Sequence, residues 1–139
     1  MRPASIVNFE RVVLLLVLFH AATAAFEWER IIAEVRRQGI GQGPVIVILA
    51  GLLALILLLM WLIARRRSAV AKWIYVALTL LLIASTIPSL SRIVEQGALA
   101  IALNAAFAIL SLVSVWLLFR PDARAWLGAW DDRPAVTDA

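Results

Sequence analysis

The amino-acid sequence predicts an all-α fold, an integral membrane bundle of four transmembrane helices with both termini in the cytoplasm. Three observations carry this prediction: 64% of the 139 residues are hydrophobic, only 16% are charged, and the apolar residues fall in four long runs. Soluble domains are nearer about 45–50% apolar and about 25% charged, so the composition excludes a water-soluble monomer. The length fits a single membrane domain over residues 1–139.

Each apolar run is long enough, or nearly long enough, to cross a bilayer. A hydrocarbon core of about 30 Å needs about 20 apolar residues in a helix. With their flanking anchors, the runs predict helices over about residues 8–28, 44–64, 72–90 and 98–119, with an outer amphipathic loop at 29–43 and a cytoplasmic tail at 120–139. Tryptophans near the predicted helix ends are typical of the interfacial aromatic belt, and they are Trp28, Trp61, Trp73 and Trp116. Trp126 and Trp130 predict a short helix on the membrane surface.

The first run also fits a secretory signal peptide. A basic start, an apolar core over 12–19 and the small residues Ala22, Thr23 and Ala24 form such a pattern. Cleavage after Ala24 would leave three helices. Glu10 stands where a signal peptide prefers a basic residue, which favours the uncleaved chain, and both interpretations remain open at this point.

Basic residues set the predicted orientation. Nine of the 13 Lys and Arg residues flank the spans on the side of the two termini and the middle loop, so this side is predicted to be cytoplasmic. The densest group is Arg65, Arg66, Arg67 and Lys72, which we interpret as a topology signal that also attracts anionic lipid headgroups. The sequence thus predicts a multi-pass protein of a bacterial inner membrane, with membrane lipid and not nucleic acid as its partner.

The outer loop predicts a short amphipathic helix. Trp28, Ile31, Ile32 and Val35 recur at helical spacing, and the helix is expected to stop at Gly39. The glycines at 39, 41 and 43 predict a turn into the second span, because no strand precedes them as a phosphate-binding loop would require.

Five intramembrane polar residues have similar predicted depths in the outer half of the bundle. We call them the polar layer, and they are His20, Thr23, Ser85, Thr86 and Asn104. The polar layer has two interpretations. The first is a functional site, either a small outward-opening pocket or a proton relay, and the second is hydrogen bonding between helices. A single histidine without an intramembrane acid favours the second alternative. The sequence does not determine whether His20 and Asn104 face each other.

The fourth run contains a stripe of small residues that predicts close helix packing. Gly97, Ala100, Asn104, Ala108 and Ser111 recur at spacings of three and four. We therefore expect this helix at the centre of the bundle, or at a seam between copies of the chain. At the inner edge of the first run, Glu10 beside Arg11 predicts a local ion pair or an orientation signal.

Catalytic patterns find no support in the sequence. The chain has no cysteine and one histidine, and it contains no HExxH, GxSxG or Walker motif. We predict no enzymatic activity, no cofactor and no metal site. The favoured function is an accessory or binding subunit that engages a membrane partner or lipid. The alternative is a small oligomeric transporter or channel that uses the polar layer around His20.

Three short motifs carry a resemblance. The start from Arg2 to Glu10 fits RPxSIxxFE, the stretch from Leu118 to Trp126 fits LFxPxARAW, and residues 71–74 read Ala-Lys-Trp-Ile. With these motifs the chain resembles small four-helix bacterial inner-membrane proteins that have no assigned activity. The resemblance implies an uncleaved N-terminus and brings no catalytic residues.

Overall fold

The protein is described by a computed structural model over residues 2–87, 90–95 and 97–128. Within these residues the chain forms seven helices, which are α1 (Ala4–Phe26), α2 (Trp28–Arg37), α3 (Gln42–Arg66), α4 (Ala69–Thr86), α5 (Leu90–Glu95), α6 (Ala98–Leu118) and α7 (Pro121–Gly128). Four of them, α1, α3, α4 and α6, are long and apolar enough to cross a membrane. The predicted all-α bundle with four candidate spans is confirmed. The predictions for Trp130 and for the tail beyond residue 128 lie outside the described residues.

The four long helices form a closed ring. α1 packs against α6 and α3, α3 packs against α4, and α4 packs against α6. The most extensive contact joins α1 to α6, and α1 and α3 each pack broadly against two neighbouring helices. One face of α1 carries Ile6, Phe9 and Val13, which are fully buried among the other helices.

Some helices begin or end at other residues than the sequence predicts, because tertiary contacts or capping side chains determine those ends. α1 begins at Ala4, four residues before the predicted start, because Ile6 and Phe9 are core residues although they precede the continuous apolar run. α4 begins at Ala69, since the Ser68 side chain caps it by accepting a 3.1 Å hydrogen bond from the Ala71 backbone N–H. It ends at Thr86, four residues before the predicted end.

The turns between helices use left-handed backbone conformations. Arg67 ends α3 with φ of 52°, and Gly97 precedes α6 with φ of 95°. Gly39, with φ of 75°, follows α2 at the predicted stop, where glycine takes this conformation without steric cost.

Burial is concentrated at one end of the bundle, which we call the α7 end; the opposite end is the α2 end. The α7-end core combines the first turns of α1 and α4, the last turns of α3 and α6, and α7. Its buried members are Ile6, Phe9, Val13, Leu59, Ile63, Ala64, Ala71, Tyr75, Leu117, Leu118, Ala123 and Leu127. The bundle is therefore tightly packed at the α7 end, and the space for a site lies toward the α2 end.

Candidate functional site

The structure places all five residues of the polar layer in the lining of one cavity. This polar cavity has a volume of about 280 Å³ and lies between α1, α4 and α6, toward the α2 end. Its lining also includes Glu27 and the apolar side chains Phe19, Leu82, Leu103 and Phe107. Because His20 and Asn104 both line it, the two residues face a common space, which the sequence left undetermined.

Helical periodicity explains why these side chains converge. His20, Thr23 and Glu27 follow at spacings of three and four, so they occupy one face of α1. Ala100, Asn104 and Phe107 form the corresponding face of α6. The depth of these residues in the bundle was predictable from the rise per residue of a helix. Their convergence on one cavity was not, because it depends on how each helix is rotated about its own axis.

The stripe of small residues on α6 lies on the same inward-facing side. Ala100 and Asn104 line the polar cavity, Ser111 is buried deeper in the bundle, and Ala108 is half-buried between them. Gly97 is the residue before the first turn of α6. The stripe therefore serves the interior of this chain at these positions.

Hydroxyl and amide donors in the polar cavity are directed at the helix backbone. The Thr23 hydroxyl donates to the Phe19 carbonyl at 3.0 Å, and the Asn104 amide donates to the Ala100 carbonyl at 2.9 Å. The hydroxyls of Ser85 and Thr86 donate to the carbonyls of Leu82 and Ile83 at 2.7 Å and 2.6 Å. Each hydroxyl has used its only proton, so it offers the cavity acceptor lone pairs alone.

His20 and Phe107 form the floor of the polar cavity. Their ring centroids are 5.1 Å apart. Both residues also line a second, smaller cavity of about 30 Å³ that continues toward the α7 end beside Thr79 and Ser111. This volume is about that of one water molecule.

Below the second cavity, a buried hydrogen bond ends the series of polar side chains. The hydroxyls of Tyr75 and Ser114 are 2.8 Å apart, and the Ser114 hydroxyl donates to the Ser111 carbonyl at 2.7 Å. Phe9 packs edge-on against Tyr75, with ring centroids 5.2 Å apart. From there the α7-end core fills the bundle, so the polar cavity is closed in that direction.

The four residues predicted to contact lipid headgroups all make contacts within the chain. Arg66 lies over Trp61 at 5.2 Å, Arg67 lies over Trp126 at 3.7 Å, and Lys72 lies over Phe119 at 4.2 Å, each measured from the cation to the ring centroid. The partners of Arg67 and Lys72 are 59 and 47 positions away, so the sequence does not indicate these two pairs, whereas Arg66 and Trp61 are close neighbours on α3.

Glu10 joins α1 to α3 at the α7 end. Its carboxylate accepts two hydrogen bonds from the Arg2 guanidinium, at 2.7 Å and 2.8 Å, and lies 3.8 Å from Nε of Arg65. The predicted ion pair therefore exists, with Arg2 and Arg65 as the described partners and not the adjacent Arg11. Arg65 thus contributes to helix packing as well as to the charge of this end.

α7 closes the α7 end by capping α1. Oδ2 of Asp122 accepts a 3.2 Å hydrogen bond from the backbone N–H of Ser5, in the first turn of α1. Ser5, through its hydroxyl and then its backbone N–H, lowers the pKa of the Asp122 carboxyl below its ordinary value. The N–H contact is the well-aligned one, since the hydroxyl makes no hydrogen bond of standard geometry within the described residues. The sequence did indicate that α1 needs a cap from elsewhere in the chain. Pro3, which precedes α1, has no side chain that can cap the helix, and the first turn of α1 holds no acidic residue.

Metal and cofactor chemistry finds few ligands here. No group of three or more His, Asp or Glu side chains comes together in the part of the chain that the structure describes. What the polar cavity offers is three hydroxyl acceptors, the imidazole of His20, the amide of Asn104, one carboxylate and four large apolar side chains.

Comparisons with protein-family models, with curated proteins and with solved structures give no match for this chain.

Proposed function

We propose that this chain is a small, non-enzymatic membrane-embedded binding protein or accessory subunit, and that the polar cavity is its binding site. The observation that carries the proposal is the convergence of five intramembrane polar side chains, from three helices, on one cavity of about 280 Å³. Polar groups are costly in a membrane, so their placement around open space supports binding rather than packing alone.

The distribution of basic residues indicates from which side of the membrane a ligand would enter the polar cavity. The basic loops surround the α7 end, which the positive-inside rule assigns to the cytoplasm of a bacterial inner membrane. The polar cavity then faces the periplasmic side, and the α7-end core separates it from the cytoplasm. The ligand would come from the outer leaflet, from the periplasm or from a membrane partner.

A pair of matched substitutions tests the binding site. Ala100→Leu adds three carbons to the lining of the polar cavity, whereas Ala105→Leu adds the same group at an exposed position on α6. Native mass spectrometry of the full chain, extracted gently from its own membranes, should show a bound lipid, small molecule or partner. We expect A100L to reduce the bound fraction at least tenfold and A105L to leave it unchanged.

Equal retention by both variants would contradict the proposed site. The same spectra also show whether the N-terminal segment is cleaved. The intact mass of a chain that begins at or near Met1 means that four spans are present, whereas a mass lower by 24 residues means that three remain.

A transporter or channel, acting as an oligomer, is the second candidate. The specific observation in its favour is the second cavity, which continues beyond His20 for about one water molecule toward Tyr75. Transport would require the α7-end core to open. If the purified protein moves a solute in liposomes, and if His20→Ala abolishes a pH-dependent flux, the transport function replaces the binding function; we expect no such flux.

A further inference from the structure

We infer that the polar cavity binds a small protonated organic amine. This inference deepens the proposed function and rests on it. It follows from the charge, the hydrogen-bonding capacity and the apolar surface of the lining, taken in turn.

Charge favours a cation. Among the described residues that line the polar cavity, Glu27 is the only Glu, Asp, Lys or Arg. It stands at the corner between α1 and α2, where its backbone N–H donates to the Thr23 carbonyl at 2.9 Å. A ligand with a phosphate or carboxylate would find no described cation in the lining and would face this carboxylate, which costs electrostatic energy.

Hydrogen bonding favours a donor. The hydroxyls of Thr23, Ser85 and Thr86 give their protons to backbone carbonyls, so each presents only acceptor lone pairs to the cavity. The imidazole of His20 and the amide of Asn104 can accept as well as donate, so acceptors outnumber donors in the lining. A protonated amine carries up to three N–H donors, which match these acceptors, whereas a quaternary ammonium carries none.

Apolar surface favours an organic group over a hydrated metal ion. Phe19, Leu82, Leu103 and Phe107 cover the parts of the lining between the polar atoms. Divalent ions bind through several oxygen ligands, usually with more than one carboxylate. The cavity volume of about 280 Å³ corresponds to about nine water molecules and accommodates an alkylammonium with its chain against these four residues.

The single histidine provides a reporter inside the site. His20 is the only histidine of the chain, so labelling with ¹⁵N-histidine gives one imidazole spectrum. The full chain in lipid nanodiscs is titrated at pH 8 with n-butylammonium, tetramethylammonium, butyrate or potassium, all at matched ionic strength. At this pH an alkylamine is protonated, while an imidazole is ordinarily neutral.

We expect n-butylammonium to shift the His20 resonances saturably, at a concentration at least tenfold lower than any of the other three ions. Glu27→Gln should weaken this binding at least tenfold. The matched control is Glu29→Gln, which removes the same charge from an exposed position in α2 outside the lining and should change binding less than twofold. A100L should abolish the saturable shift.

Equal binding of butyrate or tetramethylammonium, or unchanged binding in E27Q, would overturn the inference. Failure of the binding function itself has a different signature, namely equal retention of the co-purified molecule by A100L and A105L. A chain that loses that molecule in A100L and still shows no preference for butylammonium keeps its binding site and refutes only the ligand class.

Discussion

Asp122 illustrates how one side chain can serve two helices. It lies in the first turn of α7, where a negative charge is favourable, and it accepts a hydrogen bond from an otherwise uncapped N–H in the first turn of α1. The contact joins residues separated by 117 positions. With 41% of its side chain exposed, Asp122 makes a screened and modest contribution, but one that depends on pH.

The first prediction concerns this pH dependence. The folded state lowers the pKa of Asp122, so its charge stabilises the fold above the ordinary aspartate value of about 3.9. This stabilisation is lost as the pH falls through the lowered folded value. We expect Asp122→Asn to lower the Tm in detergent at pH 7 and to differ less from the wild-type chain below pH 4. A constant difference in Tm at all pH values would show that charge has no part in the cap.

At the scale of the element, two opposing energies act at the end of α3, the backbone strain at Arg67 and the cation–π contact that its side chain makes. Arg67 adopts a left-handed conformation with φ of 52°, which costs a non-glycine residue about 1 kcal/mol or more. Its guanidinium lies 3.7 Å from the ring centroid of Trp126, and this contact is worth about 0.5–2 kcal/mol. The cation–π contact with α7 therefore offsets the backbone strain.

Two substitutions at Arg67 should separate the strain energy from the energy of the cation–π contact. Arg67→Gly removes the cation–π contact and the strain together, so we expect a free energy of unfolding within about 1 kcal/mol of the wild-type value. Arg67→Ala removes the contact and keeps the strain, so it should be less stable than R67G by about 1 kcal/mol. Chemical unfolding in mixed micelles measures the difference, and equal stabilities would show that the turn is not strained.

The same scale shows what the sequence can and cannot predict. Continuous apolar runs predicted the existence of the four long helices, and Gly39 predicted the end of α2, because these signals are local. The early start of α1 was missed, since Ile6 and Phe9 become core residues only through contact with other helices. The depth of the polar layer was predictable from 1.5 Å per residue, while its convergence was not, because helix rotation is set by side-chain packing.

At the scale of the whole molecule, the fold predicts a definite topology. α3 and α4 are joined near Ser68 at the α7 end, and α2 ends near Gln38 at the other end. The chain contains no cysteine, so a single introduced cysteine is a specific label. We expect Ala69→Cys, at the exposed residue beside Ser68, to react with an impermeant maleimide only after the inner membrane is opened, and Gln38→Cys to react in cells whose outer membrane alone is permeabilised. Labelling in the opposite order would reverse the proposed orientation.

The contact between Ser5 and Asp122 also has a consequence for biosynthesis. The N-terminal part of α1 is synthesised long before residues 117–127, which supply its cap and much of its surrounding core. Until then, Ile6 and Phe9 lack part of their final surroundings, and the nascent chain exposes incompletely packed helices. A chain truncated before α7 would therefore carry an unfinished N-terminal end, and a larger unfolded fraction of it would be open to degradation in the cell.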